Sequence, residues 1–142
     1  MKKKRRDLRI LWNANAVFTN SGYATETRDI LYRLLKDGWP VAMIGFYGLE
    51  GYPVILDGGD LIDERFAGYK LKVYPKMGDP WGNDAILMHS QDYQANVVFA
   101  MQDIWSLDPN VLNTIGQKGI KFIPYLPIDQ EPVQQGVLGN CR

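Results

Sequence analysis

Runs of apolar residues alternate with amphipathic stretches along most of this chain. Ile10–Asn15 and Val41–Phe46 are largely apolar on both faces, which is typical of central strands in a parallel sheet. Between them, apolar residues recur at intervals of three and four, which predicts a helix over Tyr23–Asp37. Its predicted buried face consists of Ala24, Thr27, Leu31, Leu34 and Leu35. Gly38 supplies a left-handed stop, so the opening segment is a strand–loop–helix–strand unit.

The alternation of strands and helices continues through the second half of the chain. Glycine-rich sequence surrounds two short predicted strands, which fit a small β-hairpin inserted in the sheet. The later predicted elements are the hairpin strands Tyr52–Leu56 and Tyr69–Tyr74, a helix at Asn83–Tyr93, a strand at Asn96–Met101, a helix that Asp108-Pro109 begins and that Gly116 and Gly119 end, and a strand at Lys121–Leu126. Short connections predict an α/β fold, with a doubly wound Rossmann-like parallel sheet and helices on both faces.

The length of 142 residues predicts one folded domain, which we place at residues 10–133. Residues 1–9 are predicted to be a flexible basic tail and residues 134–142 a C-terminal tail. A doubly wound domain normally continues with a further helix and strand. We therefore expect the chain to stop inside a larger architecture.

Charge is distributed unevenly, although the formal net charge is zero. Six of the 16 basic residues lie before Ile10, and the remainder of the chain has 10 basic and 15 acidic residues. A duplex-binding domain spreads basic residues over a folded face, so we expect no specific nucleic-acid partner. The basic start is read as a solvated tail, with weak contact to a membrane surface or nucleic acid as the alternative.

Cysteine and histidine usage excludes several kinds of site. Cys141 is the single cysteine and His89 the single histidine, so neither a disulfide nor a zinc centre is expected. His89 lies within a predicted helix and is interpreted as a packing residue. No apolar run approaches the ~20 residues of a membrane span. These features predict a cytoplasmic protein that needs no metal.

The loop after the first strand is the strongest candidate for ligand binding. It consists of Thr19, Asn20, Ser21, Gly22 and Tyr23. Ser21 or Asn20 can cap the helix, while Gly22 and free N–H groups at the helix start can approach a phosphate. The alternative is that Gly22 serves only the turn. The loop lacks both the three-glycine dinucleotide fingerprint and the lysine of a P-loop.

Polar and aromatic residues follow the other strands at the same predicted edge of the sheet. Asp103 is the candidate catalytic carboxylate, and Gln102 is a second candidate catalytic residue that could hydrogen-bond a hydroxylated ligand beside it. Trp105 is a candidate for stacking on a sugar ring. Capping of nearby backbone amides is the alternative role for Asp103. Asp129 follows the last strand in the same way, and Tyr47 follows the second. An aromatic surface for sugar was predicted from Trp12, Tyr23, Tyr47, Trp81 and Trp105.

The order of these motifs resembles a known family. A Ser-Gly-Tyr loop after the first strand, Asn-Val-Val-Phe-Ala-Met-Gln-Asp-Ile-Trp at residues 96–105 and Tyr-Leu-Pro-Ile-Asp at residues 125–129 carry the resemblance. Together they resemble the N-terminal domain of group-1 retaining glycosyltransferases of the GT-B fold. The resemblance covers residues 9–133, and it implies two Rossmann-like domains that face each other across a cleft.

The resemblance also implies a role for each candidate site residue. Asn20, Ser21, Gly22 and Tyr23 would approach the diphosphate of a nucleotide-sugar, a co-substrate in a reaction without a cofactor. Gln102 and Asp103 would line the sugar and acceptor site, with Trp105, Asp129 and Tyr47 as further contacts. Many members have histidine near Gln102, so this position departs from the family. The acceptor is a glycan, a lipid or a protein.

The resemblance further implies a second, donor-binding domain with paired glutamates, which this sequence does not contain. We therefore expect no useful transferase activity from the chain alone, and a partner domain or self-association through an exposed face. Two alternatives remain open at this point. One is a stand-alone Rossmann-like nucleotide- or ligand-binding module, and the other is a flavodoxin-like electron carrier.

Overall fold

Six strands form one mixed sheet in the computed structural model, which describes residues 7–126. They are β1 (Ile10–Asn15), β2 (Val41–Tyr47), β3 (Val54–Asp57), β4 (Lys70–Pro75), β5 (Val97–Met101) and β6 (Lys121–Tyr125). Their order across the sheet is β3-β4-β2-β1-β5-β6. All neighbouring pairs are parallel except β3 and β4. The strand order therefore reverses at β1, and β5 lies on its other side.

Helices cover both faces of the sheet, which confirms the predicted doubly wound α/β fold. They are α1 (Gly22–Lys36), the single turn α2 (Gly58–Leu61), α3 (Asn83–Asp92) and α4 (Pro109–Gln117). On one face, Leu31 and Tyr32 of α1 pack with Trp12 of β1. On the other face, Ile86 of α3 and Ile115 of α4 share a second apolar cluster. Alternate residues of the central strands thus feed two cores, as parallel strands require.

The ends of α1 follow from its sequence. Ser21 is the N-cap, and its Oγ accepts a hydrogen bond from the backbone N–H of Ala24 at 3.1 Å. Gly38 has a φ of 90° and ends the helix, because glycine adopts the left-handed region without a steric penalty. The helix begins and ends one residue before the predicted bounds. Gly116 lies inside α4, so the prediction that it ends the helix was wrong, whereas Gly119 follows the end of α4 with a φ of 78° as predicted.

The predicted hairpin is present as an antiparallel pair, but its second strand, β4, is also an inner strand of the main sheet. Val54 of β3 pairs with Val73 of β4, while β4 also pairs with β2 in the parallel direction. The connection contains α2 and a 3-10 turn at Glu64–Phe66, neither of which was predicted. Asp57 caps α2 through the N–H of Gly59. Helical elements of a single turn are difficult to predict from sequence, because they are too short to show a helical repeat.

The two ends of the chain are described only in part. Arg9, at the end of the predicted basic tail, donates from Nε to the carbonyl of Tyr93 at 2.7 Å. The predictions about residues 127–142, including Asp129, lie outside the described residues. Within residues 7–126, no helix is long and apolar enough to cross a membrane.

Candidate functional site

A crevice opens at the carboxyl ends of β1 and β5, where the strand order reverses. This topological switch point is where open α/β sheets bind ligands. The crevice has a volume of about 170 Å³. Its walls are formed by Asn15, Tyr23, Phe46, Tyr47, Trp81, Gln102 and Asp103. The fold therefore brings together residues from three of the four loops that the sequence predicted to meet.

Asp103 is the exposed carboxylate of the crevice. It follows β5 with an extended backbone, and its carbonyl accepts hydrogen bonds from the N–H and the Oγ of Ser106 at 3.0 and 2.6 Å. These bonds fix the main chain at this position. In the described part of the chain, the Asp103 carboxylate has no hydrogen bond or ion pair of its own. The side chain is therefore free to accept hydrogen bonds from a ligand.

Gln102 lies beneath the crevice and is almost fully buried. Its Nε2 donates to Ser106 Oγ at 2.8 Å, and its Oε1 accepts from Nδ2 of Asn13. Asn13 is fully buried, and its Oδ1 has no hydrogen-bond partner among the residues that the structure describes. Both ends of the Gln102 amide are thus committed within the protein. This geometry suits a residue that supports the crevice floor and positions Asp103.

Asn83 joins three segments around the crevice and was not predicted as a site residue. Its Nδ2 donates to Asp79 Oδ2 and to the carbonyl of Ser106, both at 2.8 Å. Its Oδ1 accepts from the N–H of Asp108 at 2.9 Å. The only sequence signal was its place at the start of a helix. Asn13 had a clearer signal, a polar residue inside an apolar strand.

The predicted phosphate loop lies beside the crevice. Ser21 Oγ accepts from both Ala24 N–H and Asn15 Nδ2, so its hydroxyl is engaged in holding the loop. Gly22 has ordinary φ and open space where a Cβ would stand. The turn therefore does not require glycine there. Asn20 lines a wider concavity of about 650 Å³ that adjoins the crevice.

Exposed aromatic rings surround the mouth of the crevice. Trp81 and Trp105 are 40% and 67% exposed, and their rings meet edge to face at 5.0 Å. Tyr47 is 61% exposed. The prediction that Trp12 belongs to this surface was wrong, because its ring is buried in the core and stacks on Phe99 at 5.1 Å. Trp12 is buried because it lies in the middle of β1, on the sheet face that α1 covers.

His89 does not line the crevice. It is buried in α3, its Nε2 is 2.9 Å from the carbonyl of Pro75, and its ring stacks on Tyr74. Because a carbonyl only accepts, Nε2 is the protonated nitrogen. Burial lowers the pKa of His89. Among residues 7–126, no group of three or more histidine, cysteine or acidic side chains is arranged to hold a metal ion.

The fold and the crevice define an α/β domain with a Rossmann-like sheet and a ligand crevice at its switch point. No family model, curated protein or solved structure matches the chain. The functional argument therefore depends on the geometry of the crevice.

Proposed function

We propose that this chain is the acceptor-side domain of a retaining glycosyltransferase of the GT-B type. The observation that carries the proposal is the carboxylate of Asp103, which pairs with no other residue of the described segment 7–126 and lies in a crevice walled by Tyr23, Tyr47 and Trp81. Pyranose rings present apolar C–H faces to aromatic rings and hydroxyl groups to polar ones. Asp103 can orient an acceptor hydroxyl and act as a general base towards its proton. Gln102 positions the loop that carries Asp103.

The charge of the crevice favours an acceptor over a nucleotide. Within residues 7–126, Asp103 is the single charged residue that lines the crevice. Lys76, in the adjoining concavity, is paired with Glu50 at 2.8 Å. A diphosphate would meet the negative charge of Asp103 here, and the lining residues that the structure describes include no unpaired cation. In this proposal the nucleotide-sugar is therefore held mainly by a second domain, and no metal or cofactor takes part.

A stand-alone binding module is the second candidate, and the open space above Gly22 favours it. Backbone N–H groups at the start of α1 could hold a phosphate that approaches over this glycine. Either function is compatible with a cytoplasmic location, which we propose from the use of a single cysteine.

Calorimetric titration of the chain separates the two candidates. The ligands are UDP-, GDP- and ADP-glucose on one side and neutral sugars on the other. If the chain is an acceptor domain, Asp103→Asn weakens sugar binding while Gly22→Ala leaves it unchanged. If it is a nucleotide module, Gly22→Ala weakens nucleotide binding. Gly116→Ala is the matched control, since Gly116 also lies in a helix with open space at the Cβ position.

The need for a donor domain has its own test. The coding sequence that follows Arg142 is examined for a second Rossmann-like domain with paired glutamates. Its presence there or in a neighbouring gene supports the proposal. Robust turnover of a nucleotide-sugar by the isolated chain would contradict the assignment to the acceptor side alone.

A further inference from the structure

Three concavities are lined in part by residues that follow strands of the sheet at their carboxyl ends. The crevice shares Phe46, Tyr47 and Trp81 with the wide concavity, which has a volume of about 650 Å³. Trp105 opens a third, the distal concavity, two residues after Asp103, with a volume of about 400 Å³. The crevice has room for a single small ring, because its volume of about 170 Å³ is below the ~300–1,000 Å³ of most ligand sites. The larger neighbours leave room for more.

The two tryptophans contact each other and link the linings of the concavities. Trp81 lines both the crevice and the wide concavity, and Trp105 lines the distal concavity. Their planes are 82° apart, so they present two differently oriented ring faces to solvent. Successive sugar rings in a glycan also change orientation at each linkage. An exposed perpendicular pair is suited to contact rings on either side of a linkage.

The three concavities carry little net charge. Among the lining residues that the structure describes, only Glu50, Lys76 and Asp103 are charged, and the first two pair with each other. The remaining charge is the negative Asp103. An anionic group about 4 Å from it would be repelled by ~1 kcal/mol in water and by more where solvent is excluded. The lining thus selects against phosphorylated, sulfated or uronic acid ligands.

We propose that the acceptor is a neutral oligosaccharide of at least three rings, with its reactive ring in the crevice beside Asp103. The flanking rings lie in the wide concavity against Trp81 and in the distal concavity against Trp105. This inference rests on the proposed function and narrows its acceptor, which the sequence left as glycan, lipid or protein.

The test is calorimetric titration of the full chain with linear oligosaccharides of one to six rings. The neutral probes are glucans, mannans, galactans and xylans, and the anionic probe is oligogalacturonate. Affinity for at least one neutral series should rise by about two- to tenfold per ring up to three rings, from the energy of an aromatic contact. Oligogalacturonate of equal length should bind less tightly. Asp103→Asn should reduce the difference in affinity between neutral oligosaccharides and oligogalacturonate.

Variants locate the flanking rings. Trp105→Ala should lower trisaccharide affinity by about two- to tenfold and leave monosaccharide affinity unchanged. Trp81→Ala should lower both. Tyr52→Ala is the control, because Tyr52 is 85% exposed and lines none of the three concavities. Circular dichroism verifies the fold of each variant. Trp105 is more exposed than Trp81, so its replacement should disturb the fold less.

The outcomes separate this inference from the proposed function. Equal affinity for one and three rings, a preference for oligogalacturonate, or no effect of Trp105→Ala would overturn the oligosaccharide assignment. If monosaccharide binding still weakens in Asp103→Asn, the acceptor-domain proposal survives that result. Binding of nucleotides without binding of any sugar overturns both.

Discussion

At the scale of single residues, Asn83 is the side chain that ties the crevice loops together. It contacts Asp79, Ser106 and Asp108 through three hydrogen bonds. Replacement by alanine leaves buried backbone groups without partners, which cost about 1–3 kcal/mol each. We expect Asn83→Ala to lower the free energy of unfolding by about 2–4 kcal/mol in urea titration. Asn113→Ala, at an exposed position of α4, should change it by less than about 0.5 kcal/mol.

The buried imidazole of His89 predicts a pH dependence of stability. Burial lowers its pKa in the folded state, so the unfolded chain binds a proton more readily. Its contribution to stability is complete above the unfolded pKa of about 6.5 and is lost as the pH falls below it. The protein should therefore be less stable at pH 5 than at pH 7.5, and His89→Gln should reduce this difference.

Two measurements check the role of His89. Urea titrations of both proteins at the two pH values give the difference directly. Because His89 is the only histidine, its ring signal in a proton NMR titration is identified without assignment. A midpoint above that of an unfolded histidine, or equal pH slopes in the two proteins, would refute the prediction.

At the scale of elements, the turn after β2 is fitted against the loop after β1. A Cβ on Gly48 would lie 2.3 Å from Cγ2 of Thr19. Thr19 cannot rotate away freely, because its Oγ1 donates to the carbonyl of Ala16 at 2.8 Å. Gly51 has a similar positive φ but open space at the Cβ position. The two glycines thus separate backbone strain from steric contact.

We expect Gly51→Ala to cost about 1–2 kcal/mol from backbone strain alone. Gly48→Ala should cost at least about 1 kcal/mol more, because a steric clash is added. Thermal unfolding of the pair measures the difference. If the two variants lose similar stability, the Thr19 side chain moves away at little cost, and the close packing of the two loops would be contradicted.

The helices and central strands were predictable because each has a continuous local pattern. Ile10–Asn15 is largely apolar, and α1 has both a cap at Ser21 and a stop at Gly38, so the observed bounds differ by a residue at most. The turn at Gly58–Leu61 has no such repeat. A single turn is set by contacts with Tyr32 and Phe66, which a linear pattern does not reveal.

At the scale of the whole molecule, strand order was the part that local sequence did not encode. β4 is an inner strand of the sheet because Ala42 pairs with Lys72 and Ile44 with Tyr74. The same residues were compatible with an added hairpin. The choice depends on which neighbour buries the apolar faces of both strands, and that is decided by the assembled sheet.

The candidate site was predictable to a similar extent. The rule that ligands bind at the carboxyl ends of parallel strands correctly brought Tyr23, Tyr47 and Asp103 into one crevice. It did not reveal that Gln102 turns inward to meet Asn13, 89 positions away in sequence. A strand residue alternates between faces, but its hydrogen-bond partner depends on the register of two strands.

The central position of β1 has a consequence for synthesis of the protein. The partner of β1 on one side, β2, is the next strand to be synthesised, but its partner on the other side, Val97–Ala100 of β5, is made much later. The 54 residues between Tyr47 and Met101 take roughly 3–10 s to translate. During that interval the nascent chain carries an open edge on its own innermost strand. Mispairing between neighbouring nascent chains is therefore most dangerous before Met101 emerges, and protection by a chaperone is most useful in that interval.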